Sequence, residues 1–206
     1  MTLNKELMAE ARKSLEGKWG LAAGGTAIYI VILGIIQIIP FAGPLIGLII
    51  GGPFVLGYVL FTIRISRGQP AISSMVFDGF KNFAVALGAY LLMCIFIFLW
   101  CLLLIVPGII AAMAYAMTLF ILADNPNIGS LEAIRASKKM MMGYKMKYFC
   151  LNWRFFWWML LCLLTLGIGF FWLMPYMYVT FAKFYDDIKP KPETPKEEIA
   201  EAPAAA

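Results

Sequence analysis

The sequence contains no histidine among its 206 residues. Histidine is the most frequent general base, a common zinc ligand and the side chain that titrates near neutral pH. Its absence therefore argues against most hydrolytic, zinc-dependent and pH-switched mechanisms. Charged residues are also scarce, at 14% against about 25% in an ordinary soluble domain. So few charges exclude a water-soluble globule, and the apolar remainder excludes a disordered polymer.

Cysteine is sparse and has no metal-binding or redox spacing. The four cysteines stand singly among apolar residues, at Cys94, Cys101, Cys150 and Cys162. We expect them to behave as small hydrophobic side chains, with no metal site and no cofactor. No carboxylate pair or motif-placed serine lies within an apolar stretch, so we predict no catalytic residue and no enzymatic activity.

Hydrophobic residues are abundant, at 62% of the chain with a mean hydropathy of +0.82. They gather in three stretches, 21–63, 83–123 and 155–182, which charged segments separate. One membrane crossing needs about 20 residues, so each of the first two stretches is long enough for two crossings. The third is ambiguous by length between one tilted helix and two short spans. The lipid bilayer is the first partner that the sequence predicts.

Proline and glycine stand near the midpoint of the first two stretches. The first has Pro40, Gly43 and Pro44 there, and the second has Pro107 and Gly108. Proline is tolerated in the first turn of a helix, because its missing N–H would have no acceptor within the helix. Pro44 and Pro107 therefore predict the starts of returning helices in two tight hairpins.

An internal repeat extends this interpretation to the third stretch. Gly17, Gly79 and Gly143 each precede a stretch, and one aromatic residue and one lysine follow each of them at once. Another aromatic residue follows each glycine at the same distance, at Tyr58, Phe120 and Phe184. Chance matching in a chain that is 15% aromatic is the alternative explanation. The repeat predicts that the third stretch is a hairpin as well, with its turn at glycines 167 and 169.

The predicted fold is all-α: a polytopic membrane helical bundle of six transmembrane helices, arranged as three hairpins that each follow an amphipathic segment. Residues 1–185 form a single integral-membrane domain, with approximate repeats 1–63, 64–124 and 125–185. Residues 186–206 are rich in proline, lysine, glutamate and alanine. This composition predicts a disordered cytoplasmic tail.

The charge distribution sets the predicted orientation. With three hairpins, all 17 lysines and arginines fall on one side of the membrane. The positive-inside rule makes that side cytoplasmic and places both termini there. The rule also explains the net charge of +5, so we expect no nucleic-acid partner.

The segment 130–148 has the clearest amphipathic pattern. Ser130 predicts a helix N-cap, and apolar residues recur at helical spacing behind it. Four basic residues flank that stripe, and we predict contact with anionic lipid headgroups for them: Arg135, Lys138, Lys139 and Lys145. A connector that only rests at the interface and fixes the topology explains the same pattern.

Glycines at every fourth position predict close helix packing. Gly43, Gly47 and Gly51 fall on one face of the second predicted span. Small residues at this spacing let two membrane helices approach closely.

Six segments together resemble a bacterial integral-membrane family catalogued as domain of unknown function 975. They are ARKSLEGKWG (11–20), GPLIGLIIGGPFVLGY (43–58), DGFKNF (78–83), LLLIVPGIIAAMAYAM (102–117), ILADNPNIGSLEAIRASKKMMMGYK (121–145) and TLGIGFFWLMPYMYVTFAKFY (165–185). The resemblance implies a polytopic protein of the bacterial plasma membrane and carries over no activity. More loosely, the PG, DNP and EAI elements are similar to the membrane domain of some glycerophosphodiester phosphodiesterases.

Two functions remain open at this stage. The first is a non-catalytic accessory or envelope-organising membrane protein with lipid-surface contacts. The alternative is a passive transporter or channel component for a neutral or apolar solute. A proton-coupled pump is disfavoured, because it needs ionisable side chains inside the bilayer and the predicted spans have none in their interiors. A membrane protein or a second copy of the chain is the macromolecular partner that either function allows.

Overall fold

A computed structural model describes residues 2–40, 42–165 and 167–189. Within these ranges every regular element is helical and no strand occurs, so the predicted all-α class is confirmed. The elements are α1 (Asn4–Leu15), α2 (Trp19–Gln37), α3 (Ala42–Ser66), a 3-10 helix (Ser73–Asn82), α4 (Phe83–Leu103), α5 (Ile105–Tyr115), α6 (Thr118–Asp124), α7 (Ser130–Met140), α8 (Lys145–Leu164) and α9 (Phe170–Ile188).

Four helical segments of the described chain are long and apolar enough to cross a membrane. They are Trp19–Gln37, Ala42–Ser66, Ser73–Leu103 and Ile105–Asp124. The protein is thus compatible with a multi-pass membrane protein. Six crossings are not confirmed, because neither α8 nor α9 is among these segments. The crossing by the third hairpin stays a prediction.

The first two hairpins turn where proline and glycine predict. Pro44 is the third residue of α3, and Pro107 is the third residue of α5. Leu104, with φ −164° and ψ 144°, is extended and separates α4 from α5. The returning helix of the second hairpin is not continuous, since α5 ends at Tyr115 and α6 begins at Thr118.

A glycine packs against the preceding helix at all three hairpin turns. A Cβ at Gly43 would lie 2.6 Å from the carbonyl oxygen of Ile36. A Cβ at Gly108 would lie 3.0 Å from the Cα of Cys101, and one at Gly169 would lie 3.3 Å from the Cα of Cys162. In each case the partner stands seven residues earlier in the sequence.

The first and third units also begin alike. Gly17 and Gly143 have φ of 74° and 83° and reverse the chain before α2 and α8. An L-residue rarely adopts this conformation, so glycine is required there. The positions ten, six and two residues before each glycine are buried: Leu7, Ala11 and Leu15 in α1, and Ala133, Ser137 and Met141 at α7.

The second unit differs, because a 3-10 helix takes the place of the amphipathic α-helix. It lies directly on the backbone of α3. A Cβ on Gly57 would overlap the carbonyl oxygen of Val76, and a Cβ on Gly79 would overlap that of Pro53. Two glycines are therefore needed for this backbone contact.

The bundle packs around α3. In the most apolar 18 residues of α3, 61% are buried, whereas in the most apolar 18 residues of the segment Ser73–Leu103 only 11% are buried. The buried Tyr58 ring stacks on Tyr29 at 4.9 Å and meets Tyr178 edge-on at 4.8 Å, which joins the first and third units. The aromatic positions predicted as equivalent, Tyr58, Phe120 and Phe184, are all buried.

The hairpin tips expose large apolar side chains. Ile38 is 78% exposed, Leu102 76% and Leu164 83%. Apolar surface of this extent is unfavourable in water and favourable against lipid chains.

The last helix continues past the predicted domain boundary. Asp186, Asp187 and Ile188 belong to α9. The rest of the predicted tail, from residue 190 onward, lies outside the described residues.

Candidate functional site on the charged face

Five side chains at the ends of α3, α6 and α9 form an ion-pair network, which we call the helix-end cluster: Arg67, Asp124, Tyr185, Asp186 and Lys189. Arg67 donates from Nη1 and Nη2 to the two oxygens of Asp124, at 2.7 and 3.0 Å. It also donates from Nη2 and Nε to Asp186, at 2.6 and 3.2 Å. Hydrogen bonds to the two carboxylates raise the pKa of the Arg67 guanidinium, so it stays charged.

Asp124 is the more enclosed of the two carboxylates in the helix-end cluster, with 9% of its side chain exposed against 32% for Asp186. Besides Arg67, it accepts hydrogen bonds from Lys189 Nζ at 2.6 Å and from the Tyr185 hydroxyl at 3.2 Å. The Lys189 ammonium also lies 5.7 Å from the centre of the Tyr185 ring. Four donated bonds occupy this carboxylate, so it is placed to hold helix ends together rather than to accept a substrate proton.

A second network, the N-terminal clasp, ties residues 2–4 to α8 and α9. Lys147 Nζ donates to Asp187 at 2.7 Å, and the Thr2 hydroxyl donates to the same carboxylate at 2.7 Å. The Asn4 side chain donates to the carbonyl oxygen of Lys147 at 3.0 Å. Burial alone raises the pKa of Asp187, but the bonds from Lys147 and Thr2 outweigh it, and the net pKa is lowered.

Neither network was predicted. Arg67 and Asp124 stand 57 positions apart, and Arg67 and Asp186 stand 119 apart. Asp186 and Lys189 lie in the segment assigned to the tail. The even spacing of the units is the one signal that could have placed these helix ends side by side.

The predicted amphipathic helix 130–148 is two elements in the structure. The helix α7 ends at Met140, the chain turns at Gly143, and Lys145 is the first residue of α8. The predicted N-cap was also wrong, because Gly129 occupies that position. The Ser130 hydroxyl donates instead to the carbonyl oxygen of Val85, at 2.9 Å.

The structure brings together two of the four residues predicted to contact lipid headgroups. Lys138 and Lys145 line a cavity of about 160 Å³ beside the second hairpin, with Trp100, Pro107 and Tyr115 on its apolar wall. We call it the α7 groove. Arg135 and Lys139 are exposed on α7 and do not line it. Within the described ranges, none of the four basic residues lies in an ion pair.

The three predicted packing glycines differ in their surroundings. Gly43 makes the close turn contact described above. A Cβ at Gly47 would lie 3.0 Å from the side-chain nitrogen of Gln37, and one at Gly51 would make an ordinary 3.5 Å contact with Tyr90. The tighter contact with α4 is at Gly52, where a Cβ would lie 2.9 Å from the carbonyl oxygen of Ala86.

A partly open cavity of about 280 Å³ lies where the three units meet. Its lining comes from α3, α6, α8 and α9 and the residues beside them, and is almost entirely aliphatic, aromatic and methionine: Val55, Val59, Ala116, Leu119, Phe120, Tyr148, Met159, Phe170, Met174, Met177, Tyr178 and Phe181. We call it the central cavity.

The described residues contain no group of three or more Cys, Asp or Glu side chains that is able to hold a metal ion. All four cysteines are free thiols.

A family model described as "Protein of unknown function (DUF975)" matches residues 1–113 and 101–191. The chain belongs to this family. The matches cover the DUF975 chain from its first residue to just beyond α9. Comparison with curated proteins gave no match, and neither did comparison with solved structures. The looser resemblance to the phosphodiesterase membrane domain therefore stays a resemblance.

Proposed function

We propose that this DUF975 protein is a non-catalytic accessory or envelope-organising protein of the bacterial plasma membrane, which holds anionic phospholipid on its surface. The observation that supports this proposal is the α7 groove. There Lys138 and Lys145, from two different helices, border the same apolar wall.

The groove suits a lipid because it combines charge with apolar surface. A lysine lays its aliphatic stem along apolar residues while its ammonium reaches the headgroup layer. Trp100 and Pro107 supply the apolar wall. Each basic residue near an anionic membrane surface contributes about 1 kcal/mol.

A matched pair of double variants tests this role. Lys138→Gln with Lys145→Gln removes the two groove charges, while Arg135→Gln with Lys139→Gln removes two charges from the same region outside the groove. The protein is purified in mild detergent, and retained phosphatidylglycerol is counted by native mass spectrometry. We expect the groove variant to lose clearly more lipid than the control. Equal loss would mean a diffuse charge effect and would contradict a lipid site in the groove.

We propose no enzymatic role, because the carboxylates of the two networks already bind cationic side chains. Asp124, Asp186 and Asp187 are all engaged by cationic donors. A carboxylate held in this way is a weak base and is poorly placed to take a proton from a substrate.

The alternative is a passive transporter or channel component for a neutral or apolar solute. The central cavity favours it, because residues of all three units line a space of about 280 Å³. Val59→Trp would fill this space, and Val31→Trp, on the exposed part of α2, is the control. If the protein conducts solutes, Val59→Trp lowers the permeability of proteoliposomes to small neutral solutes and the control does not. Liposome permeability that the wild-type protein leaves unchanged would rule out this alternative.

A further inference from the structure

A second basic groove lies between the start of α1 and the outer face of α8. It has a volume of about 680 Å³, and its lining includes Asn4, Lys5, Met146, Cys150 and Arg154. No function described above uses it. We call it the α1–α8 groove.

Two cations in this groove lack a carboxylate partner. Lys147 also lines the groove, but it is paired with Asp187 and is neutralised. Lys5 and Arg154 line the same groove, and neither lies in an ion pair within residues 2–40, 42–165 and 167–189. Glu6 is the nearest acidic residue along α1, and its carboxylate accepts a bond from the Leu3 backbone N–H at 3.0 Å. The groove therefore carries uncompensated positive charge.

The backbone adds to this attraction for an anion. Asn4 and Lys5 are the first two residues of α1, a helix of 12 residues. The first N–H groups of a helix have no acceptor within it and carry partial positive charge. These N–H groups add to the positive charge of Lys5 and Arg154, on which the proposal mainly rests.

Arg154 lines the groove with Met146 and Cys150, and the same part of α8 carries exposed aromatic side chains. Trp153 is stacked between Phe149 and Phe156, and Trp157 meets it edge-on. Trp157 is 61% exposed and Met146 69% exposed. An arginine against hydrocarbon is costly unless an anion accompanies it. A free phosphate would satisfy Arg154 and leave this aromatic surface unused, whereas a phospholipid uses both.

We propose that the α1–α8 groove binds an anionic glycerophospholipid, with Lys5 and Arg154 holding the phosphodiester and the aromatic face of α8 holding an acyl chain. The uncompensated cations select against headgroups that carry an ammonium. This inference rests on the proposed lipid-binding role and assigns that role a second, separate site.

The test uses the full chain in mild detergent, with thermal unfolding followed during titration with phosphatidylglycerol, phosphatidylcholine or inorganic phosphate. Lys5→Gln with Arg154→Gln is compared with Lys13→Gln with Arg64→Gln, which removes the same two residue types from exposed positions outside the groove. We expect the groove variant to bind phosphatidylglycerol at least tenfold more weakly than the control. The response to phosphatidylcholine should be the same in both.

Equal phosphatidylglycerol affinity in the two double variants would overturn the proposal. Stabilisation by inorganic phosphate alone, to the same extent as by lipid, would overturn the assignment to a phospholipid. If the double variant does not fold, Arg154→Gln alone is titrated, and unchanged affinity overturns the proposal.

The Lys138→Gln and Lys145→Gln double variant separates this site from the α7 groove. Because each groove is proposed to bind lipid, binding that weakens in both double variants supports both sites. Binding that is lost only in the Lys5 and Arg154 variant supports the present proposal and contradicts the α7 groove. Binding that is lost only in the Lys138 and Lys145 variant does the reverse.

Discussion

Replacing Asp124 by asparagine tests whether the helix-end cluster holds the three units together. The substitution keeps the size of the side chain and removes its charge. Asparagine offers one acceptor oxygen where the carboxylate offers two, and its NH₂ group then faces Arg67 or Lys189. Two cations are left beside a neutral group, although Arg67 keeps its two bonds to Asp186.

The size of the expected stability loss follows from the burial of Asp124 and from the number of its hydrogen-bond partners. A hydrogen bond to a charged group contributes about 1.5–3 kcal/mol. Asp124 is 9% exposed, but Arg67 is 30% and Lys189 41% exposed, so solvent screens part of each interaction. We expect Asp124→Asn to lower the free energy of unfolding by about 2–3 kcal/mol.

Asp186→Asn is the matched control, because Asp186 is 32% exposed and its only partner in the cluster is Arg67. We expect it to cost about 1 kcal/mol or less. Both variants are measured by reversible unfolding in mixed micelles, and Arg67→Gln is added for a double-mutant cycle. Equal effects of the two variants, or no coupling between Arg67 and Asp124, would refute the reasoning.

Three further predictions concern the fold and its orientation. We expect Gly57→Ala to destabilise the protein by about 2 kcal/mol or more, because the added Cβ would overlap the carbonyl oxygen of Val76. Gly20→Ala, which adds a Cβ in open space within α2, should stabilise it slightly. Thermal unfolding in detergent compares the two variants, and stability changes of the same sign would contradict the packing at Gly57. The pKa of Asp187 is lowered in the fold, so its contribution to stability is present above the ordinary pKa of 3.8 and is lost as the pH falls below it. The difference in stability between wild type and Asp187→Asn should therefore shrink on acidification. A difference that grows would contradict the N-terminal clasp. If the third hairpin crosses, a cysteine at Ile168 in a background without the native cysteines is labelled from outside intact cells; protection of this position, with the C-terminus labelled externally, would exclude that crossing.

The parts of the fold that the sequence predicts well depend on neighbouring residues. Pro44 and Pro107 mark helix starts because the constraint on proline acts within one helical turn. The 3-10 helix depends instead on a backbone contact between Gly57 and Gly79 from separate elements. No local pattern distinguishes it from the amphipathic α-helix that the repeat predicts at that place.

The predicted lipid-contact residues show the same limit. A pattern of 3.6-residue periodicity continues across Gly143, and the sequence alone favours one helix from 130 to 148. The structure ends α7 at Met140 because Gly143 adopts φ 83° and redirects the chain. Because of that turn, Lys138 belongs to α7 and Lys145 to α8, and yet both line the α7 groove.

The helix-end cluster bears on the third hairpin, whose crossing of the membrane is a prediction. Arg67 follows α3, Asp124 ends α6 and Asp186 lies in the last turn of α9, so one guanidinium fixes these three helix ends at a common level. The clasp between Lys147 and Asp187 places the start of α8 at that level as well. The 20 and 19 residues of α8 and α9 match a hydrocarbon core of about 30 Å only over their full length, and a full-length crossing by α8 would place Arg154, its tenth residue, at mid-depth. The lower hydropathy of the two helices reflects charged residues as well as tryptophan and tyrosine: Lys145, Lys147 and Arg154 in α8, and Lys183, Asp186 and Asp187 in α9. The geometry therefore brings the start of α8 and the end of α9 to the level at which the first two units end, and the crossing by the third hairpin stays a prediction.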